Sequence, residues 1–193
     1  FPLAREGQFD MELAEAIVPS PAREAALERL STPGALVVTT GQQPGLFGGP
    51  IYTWSKALSA LALADAIERT TGIPAAPMFW AATDDSDFAE AASTIIAVPG
   101  GTMTLRLPDR EDDDDRMLSH VPLSGTASLA AALARGAGSA MHGHILDSVS
   151  RTYRDGVTIG DAYVGLMRAV LHPLGIGVLD ASHPAVAHAA RPL

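Results

Sequence analysis

The chain has 193 residues, with 13 basic and 22 acidic side chains, a formal net charge of −9 and no cysteine. The charge argues against non-specific nucleic-acid binding, which needs a basic footprint, and the lack of cysteine excludes disulfides, zinc ribbons and thiol nucleophiles. With 47% hydrophobic and 18% charged residues the chain is not disordered, and no apolar run reaches the roughly 18 residues that span a bilayer, so a cytoplasmic location is expected. Residues 1–34 form a helical lead-in. Glu12, Ala14, Ala16 and Ile17 share an amphipathic stretch that Pro19 and Pro21 interrupt, and Pro21 can open a short helix through Arg29. Ser31 to Gly34 is a turn, and Ala35 to Thr39 reads as a buried parallel strand.

A glycine-rich loop follows from Gly41 to Pro50, then a helix over about Tyr52 to Thr70, closed by Gly72 and Pro74. That helix is apolar nearly all round, so it is expected inside the protein or against a sheet. Ala75 to Ala82 is a second strand, Thr83 to Asp87 a polar loop, and Thr94 to Val98 a third strand. Thr102 to Leu107 alternates polar and apolar, as an exposed antiparallel strand does. Residues 108–125 connect onward through an acidic run, Glu111 to Asp115, expected to be solvated. Ser128 to Gly136 is helical, and Met141 to Leu171 is a longer helical region with a break at Gly156 and Gly160. Gly175 to Asp180 is a further strand, and an apolar Ala/Val stretch (Ala185, Val186, Ala187, Ala189) ends the chain.

Strand, loop, long helix, strand is one βαβ unit, which implies a parallel sheet. The expected fold is α/β: a Rossmann-like, mainly parallel sheet flanked by helices, incomplete, with an inserted hairpin and helical segment. The lead-in is 1–34 and the partial core 35–193, with the insertion at about 100–140. An incomplete sheet is expected to leave apolar surface near the last strand.

Two stretches carry chemistry. The loop Gly41-Gln42-Gln43-Pro44-Gly45-Leu46-Phe47-Gly48-Gly49-Pro50 joins the C-terminal end of a strand to the start of a helix. Open α/β sheets bind ligands there, and helix starts attract anions. Gly41, Gly45, Gly48 and Gly49 permit close backbone approach, while Gln42, Gln43, Tyr52 and Thr53 offer polar groups. The loop is neither a GxGxxG fingerprint nor a P-loop; a tight turn with no ligand is the plain alternative. Of the 13 basic residues 12 are arginine, and the single lysine, Lys56, is expected in the first turn of the helix, where a cation opposes the dipole. A bound phosphate or carboxylate would offset that placement. The second stretch, Phe79 to Asp87, puts Asp84, Asp85 and Asp87 at the end of the neighbouring strand. These carboxylates can hold an ammonium, a sugar hydroxyl or Mg²⁺, act as a base, or simply cap a helix. His142 and His144 lack a third metal ligand, so no metal site is assigned. No Gly-x-Ser-x-Gly elbow supports a hydrolase.

From Gly41 to Lys56 the sequence resembles the GQQAGLxxGPLYTxxK stretch of the bacillithiol biosynthesis cysteine-adding enzymes (BshC). Pro77-Met78-Phe79-Trp80 with the acidic loop resembles that family's PVFW…EDHD segment, and Gly177 to Asp180 resembles a later family strand. The resemblance covers about residues 35 to 185. It implies a Rossmann-type core and a ligase that joins L-cysteine to glucosaminyl malate through an amide, the last step of bacillithiol synthesis. The anion-binding residues would be Gly41, Gln42, Gln43, Gly45, Gly48, Gly49, Tyr52, Thr53 and Lys56, and the catalytic ones Asp84, Asp85 and Asp87. ATP or another adenine nucleotide is left open as a cofactor. Two departures matter. Asp84 and Ser86 stand where the family has Glu and His, and a serine does not titrate near neutrality. The family proteins are also more than twice as long and continue into a coiled coil. The chain is therefore expected to be a piece that is inactive alone, with a parent that dimerises through that coiled coil. Its expected partners are cysteine and glucosaminyl malate, with neither nucleic acid nor membrane. A non-catalytic ligand- or nucleotide-binding Rossmann module is the competing reading. A nucleotidyltransferase, from fold analogy alone, is a third.

Overall fold

The computed structural model describes residues 9–110, 115–138 and 143–191. Glu111 to Asp114 of the acidic run, Met141 and His142 lie outside the described residues. Among the described residues five strands run in chain order: β1 (Leu36–Gln42), β2 (Ala75–Ala81), β3 (Ser93–Val98), β4 (Gly101–Arg106) and β5 (Gly177–Asp180). The α-helices are α1 (Pro21–Leu30), α2 (Ile51–Thr71), α3 (Phe88–Ala91), α4 (Thr126–Ala137), α5 (Gly143–Thr152), α6 (Ile159–Leu171) and α7 (Pro184–Ala189). The chain divides into two compact units. One takes the chain up to Gln42, Tyr52–Ala82 and the chain from Val170 onward; the other takes Gln43–Ile51 and Thr83–Ala169. No helix among the described residues is long and apolar enough to cross a membrane.

The first unit is a parallel sheet in the order β1-β2-β5. β1, α2 and β2 make the expected βαβ crossover, so the fold is Rossmann-like α/β. Central β2 is buried at six of its seven positions, which is why Ala75 to Ala81 lacks polar alternation. The exception is Trp80, partly buried and packed on a cluster that includes Ile17, Met78 and Leu179. β1 comes close to β2 because position 41 is glycine: a Cβ there would lie 2.8 Å from the Trp80 carbonyl oxygen. α1 starts as expected, with Pro21 in its first turn and the Ser20 hydroxyl accepting from the Arg23 N–H.

Two expectations change in this unit. α2 is not buried all round. It buries a single stripe of Thr53, Ala57, Ala60 and Ala64, while Leu58 and Leu63 are about half exposed. The spacing is that of one seam. Among the described residues, part of the apolar surface expected beside the last strand is covered. The lead-in occupies that place: Ile17 bridges Leu179, the Val18 N–H donates to the Val178 carbonyl at 2.8 Å, and Ala185 of α7 is buried in the same cluster.

In the second unit β3 and β4 form the expected antiparallel hairpin, six residue pairs long. α4 packs on it closely; a Cβ at Gly136 would meet the Ile96 side chain at 2.8 Å. α4 starts after Gly125, which has no side chain to cap it. The cap comes from Asp155, whose carboxylate accepts from the Thr126 N–H at 2.8 Å and hydroxyl at 2.6 Å. Gly156, at φ +84°, sits in the break between α5 and α6. Gly160 does not break a helix. It lies inside α6, where a Cβ would strike the Ser119 Cα at 2.7 Å.

Candidate functional site

In the first unit the strand register places Gln42, Ala81 and Asp180 side by side at the C-terminal edge of the sheet. That is the edge at which open α/β sheets take ligands. The Gln42 amide, 9% exposed, organises the groups around it. Its Nε2 donates to Tyr52 Oη at 3.4 Å, and its Oε1 accepts from Lys56 Nζ at 2.8 Å. The same ammonium reaches the Gly41 carbonyl at 3.5 Å and sits 5.0 Å from the centre of the Tyr52 ring. Lys56 lies in the second turn of α2, because the helix begins at Ile51. Its cation is thus held by carbonyl oxygens and a π face, and no carboxylate among the described residues pairs with it. Beside it is an open groove of about 380 Å³, with Thr39, Thr40, Tyr52, Ser55, Lys56 and Ser59 among its lining. Thr53, in the first turn of α2, is fully buried, and its hydroxyl has no hydrogen-bond partner among the described residues.

In the second unit the loop from Gln43 onward forms a tight knot. A Cβ at Gly45 would lie 2.6 Å from the Gly49 Cα, so glycine is required there. Phe47, Gly48 and Gly49 all take positive φ, at 54°, 96° and 72°. Gln43 Nε2 donates to Asp85 Oδ2 at 3.3 Å. The other Asp85 oxygen accepts from the Asp87 N–H at 2.7 Å, and Asp87 caps α3 by accepting from the Glu90 N–H at 3.0 Å. Asp84 is exposed. Two of the three carboxylates are therefore engaged with backbone N–H groups, as caps are.

The structure brings Gln42, Tyr52 and Lys56 together, and separately Gln43 with Asp85. Two residues at these places had no local signal in the sequence. Asp180 ends a strand like any turn residue, and only the register puts it level with Gln42. Tyr153 follows α5 and reaches the glycine knot across 108 positions of sequence, its hydroxyl 2.9 Å from the Gly45 carbonyl. Among the described residues no group of three or more His, Asp or Glu side chains is arranged to hold a metal ion.

Comparison with known proteins gives one family. The family described as "Bacillithiol biosynthesis BshC, N-terminal Rossmann-like domain" matches residues 11–193. A protein of Solibacter usitatus named "Putative cysteine ligase BshC" is 36% identical over 172 residues, covering 86% of this chain and 31% of that protein. A protein of the same name from Staphylococcus carnosus is 27% identical over 200 residues, covering 95% of this chain and 34% of its own length. One from a Geobacillus strain is 42% identical over 97 residues, covering 50% of this chain and 18% of its own. The chain spans about a third of the length of the Solibacter usitatus and Staphylococcus carnosus relatives.

Proposed function

The chain belongs to the bacillithiol biosynthesis BshC family, within its N-terminal Rossmann-like domain, and on that premise we propose that it is the substrate-binding core of a cysteine ligase. The reaction joins the carboxyl group of L-cysteine to the amine of glucosaminyl malate as an amide, with the carboxyl oxygen and the amine protons leaving as water. The observation that carries this reading is Lys56. In a chain of net charge −9, its single lysine lies at the C-terminal end of a parallel strand with no carboxylate partner among the described residues. A malyl carboxylate supplies the missing counter-charge, and a charge-assisted hydrogen bond to it is about twice as strong as a neutral one. Gln42 and Tyr52 orient the ammonium. Asp180, two strands across at about 10 Å by strand spacing, spends Oδ1 on the Ser182 N–H and hydroxyl at 3.1 and 2.9 Å, and its negative charge is what would attract the amino sugar. The second unit is proposed on its own to bind through its Gly45–Gly49 loop and the Gln43 side chain, with Asp84, Asp85 and Asp87 as its acid–base groups.

One observation favours the second reading, a binding module that has lost the chemistry. Asp85 and Asp87 spend oxygens on backbone caps, and exposed Ser86 between them supplies no titrating group. The test is calorimetric titration of glucosaminyl malate, cysteine and ATP, each separately, into the complete gene product, followed by assay for the amide. Binding of glucosaminyl malate with product formation is the expected result. Binding without product selects the module, and no binding of glucosaminyl malate overturns the ligase reading.

A further inference from the structure

Few bonds of its own close the Gly45–Gly49 knot. One hydrogen bond, Gly48 N–H to the Gly45 carbonyl at 3.0 Å, closes it, and Gly49 N–H reaches the Leu46 carbonyl at 3.2 Å. Against these stands Phe47, a non-glycine residue at φ +54°, a strained left-handed conformation for a residue with a Cβ. The surplus support comes from Tyr153. Its hydroxyl donates to the Gly45 carbonyl at 2.9 Å and accepts from the Gly48 N–H at 3.3 Å, so it ties both ends of the same turn. Its ring meets the Phe47 ring edge-on, with centres 5.1 Å apart and planes at 71°. Aromatic pairs of that geometry attract beyond simple burial, which opposes the strain at Phe47. Tyr153 is 2% exposed, and it is itself anchored, its N–H donating to the Val149 carbonyl at 2.8 Å. Burial pushes its hydroxyl well above the ordinary tyrosine value, against backbone hydrogen bonds that lower it, so it stays a neutral donor at physiological pH.

We propose that Tyr153 is a positioning residue for the ligand-binding loop: its hydroxyl clamps the Gly45–Gly48 turn and thereby fixes the loop backbone and the Gln43 side chain in the arrangement that receives substrate. The assignment rests on the reading of this loop as part of a substrate site. A fully buried tyrosine that only filled space would need one hydrogen-bond partner. This one spends its donor and an acceptor on two glycines of a strained turn, and phenylalanine would fill the same space without them.

The test compares Tyr153→Phe with the unaltered complete gene product by two independent readouts. The first is hydrogen exchange of the peptide covering residues 43–51. Loss of the hydroxyl is expected to speed exchange at Gly48 and Gly49 by about tenfold, the equivalent of one modest hydrogen bond, while peptides from α4 and the β3–β4 hairpin keep their rates. The second is the calorimetric affinity for glucosaminyl malate, expected to fall by about tenfold, with KM rising more than kcat falls. Unchanged exchange in the loop overturns the clamp. Faster exchange with unaltered affinity reduces Tyr153 to a structural role and overturns the positioning assignment. If the unaltered protein binds no glucosaminyl malate, the proposed substrate falls, and the exchange readout still decides whether Tyr153 holds the turn.

Discussion

Lys56 Nζ lies 2.8 Å from Gln42 Oε1, so the single lysine of the chain is steered by a neutral amide instead of a carboxylate. The consequence is electrostatic. A carboxylate partner would cancel the charge, whereas an amide oxygen fixes the direction of the ammonium and leaves its charge for a ligand. Gln42 can do this because it ends β1 nearly buried, with its other amide atom bonded to Tyr52.

Lys56→Gln should therefore weaken binding of glucosaminyl malate by about 10- to 100-fold, the span expected for hydrogen bonds to a charged group. Lys56 is exposed, so its Coulomb contribution is screened. Calorimetry at rising salt should show the unaltered protein losing affinity while the variant changes little. Equal affinities at low salt would remove Lys56 from the site.

Gly41→Ala should destabilise the first unit, because the new Cβ would sit 2.8 Å from the Trp80 carbonyl and 3.0 Å from its Cβ. Overpacking of this kind costs roughly 1–3 kcal/mol. Gly101→Ala is the control, since nothing lies within 4 Å of that position. Denaturant melts should separate the two variants; equal midpoints would mean that β1 and β2 can part without cost.

The β1–α2–β2 crossover was legible because its signals are local. A β-branched run, a glycine-rich loop, a long Ala/Leu helix stopped by Gly72 and Pro74, and a second apolar run each declare themselves within a few residues. The hairpin of β3 and β4 was legible from alternation. What could not be read depends on pairing across the chain. The single buried stripe of α2 became visible only once the sheet it packs on was placed. Ile17 covering the outer edge of β5 depends on a bridge to Leu179. The candidate site divides in the same way. Gln42, Tyr52 and Lys56 were legible from spacing, two of them one helical turn apart. Asp180 and Tyr153 were not, because strand register and a tertiary hydrogen bond bring them in.

Glu68 predicts an acid-side loss of stability. Its carboxylate accepts from the Ala75 N–H at 3.0 Å and from Arg29 Nε at 3.2 Å, tying α2 to the start of β2 and to α1. The Ala75 N–H holds its carboxyl below the ordinary value; desolvation opposes this, and the Arg29 guanidinium adds to it. A carboxylate depressed in the folded state stabilises it above the unfolded value of about 4.3, and that contribution fades as pH falls through the folded value. Melting temperature should drop below about pH 4.3, and the drop should be smaller in Glu68→Gln, which is less stable at pH 7. Parallel pH profiles would exclude Glu68 as a contributor.

Thr53 offers the sharpest separation of stability from function. It is fully buried in the seam of α2, and its hydroxyl finds no hydrogen-bond partner among the described residues. An unsatisfied buried hydroxyl costs about 1–3 kcal/mol, and valine would replace it with a methyl of nearly the same shape and the same β-branching. Were position 53 only packing, valine would be the better residue. Thr53→Val should therefore raise the melting temperature by several degrees, since about 1 kcal/mol shifts it by roughly 2–8 °C in domains of this size range. The same variant should leave the affinity for glucosaminyl malate unchanged, because a hydroxyl with no exposed surface cannot meet a ligand. A lower melting temperature would show that the hydroxyl is already satisfied in the folded protein. A higher one with unaltered affinity places Thr53 in the core and leaves Lys56, Gln42 and Tyr52 to bind the anion without it.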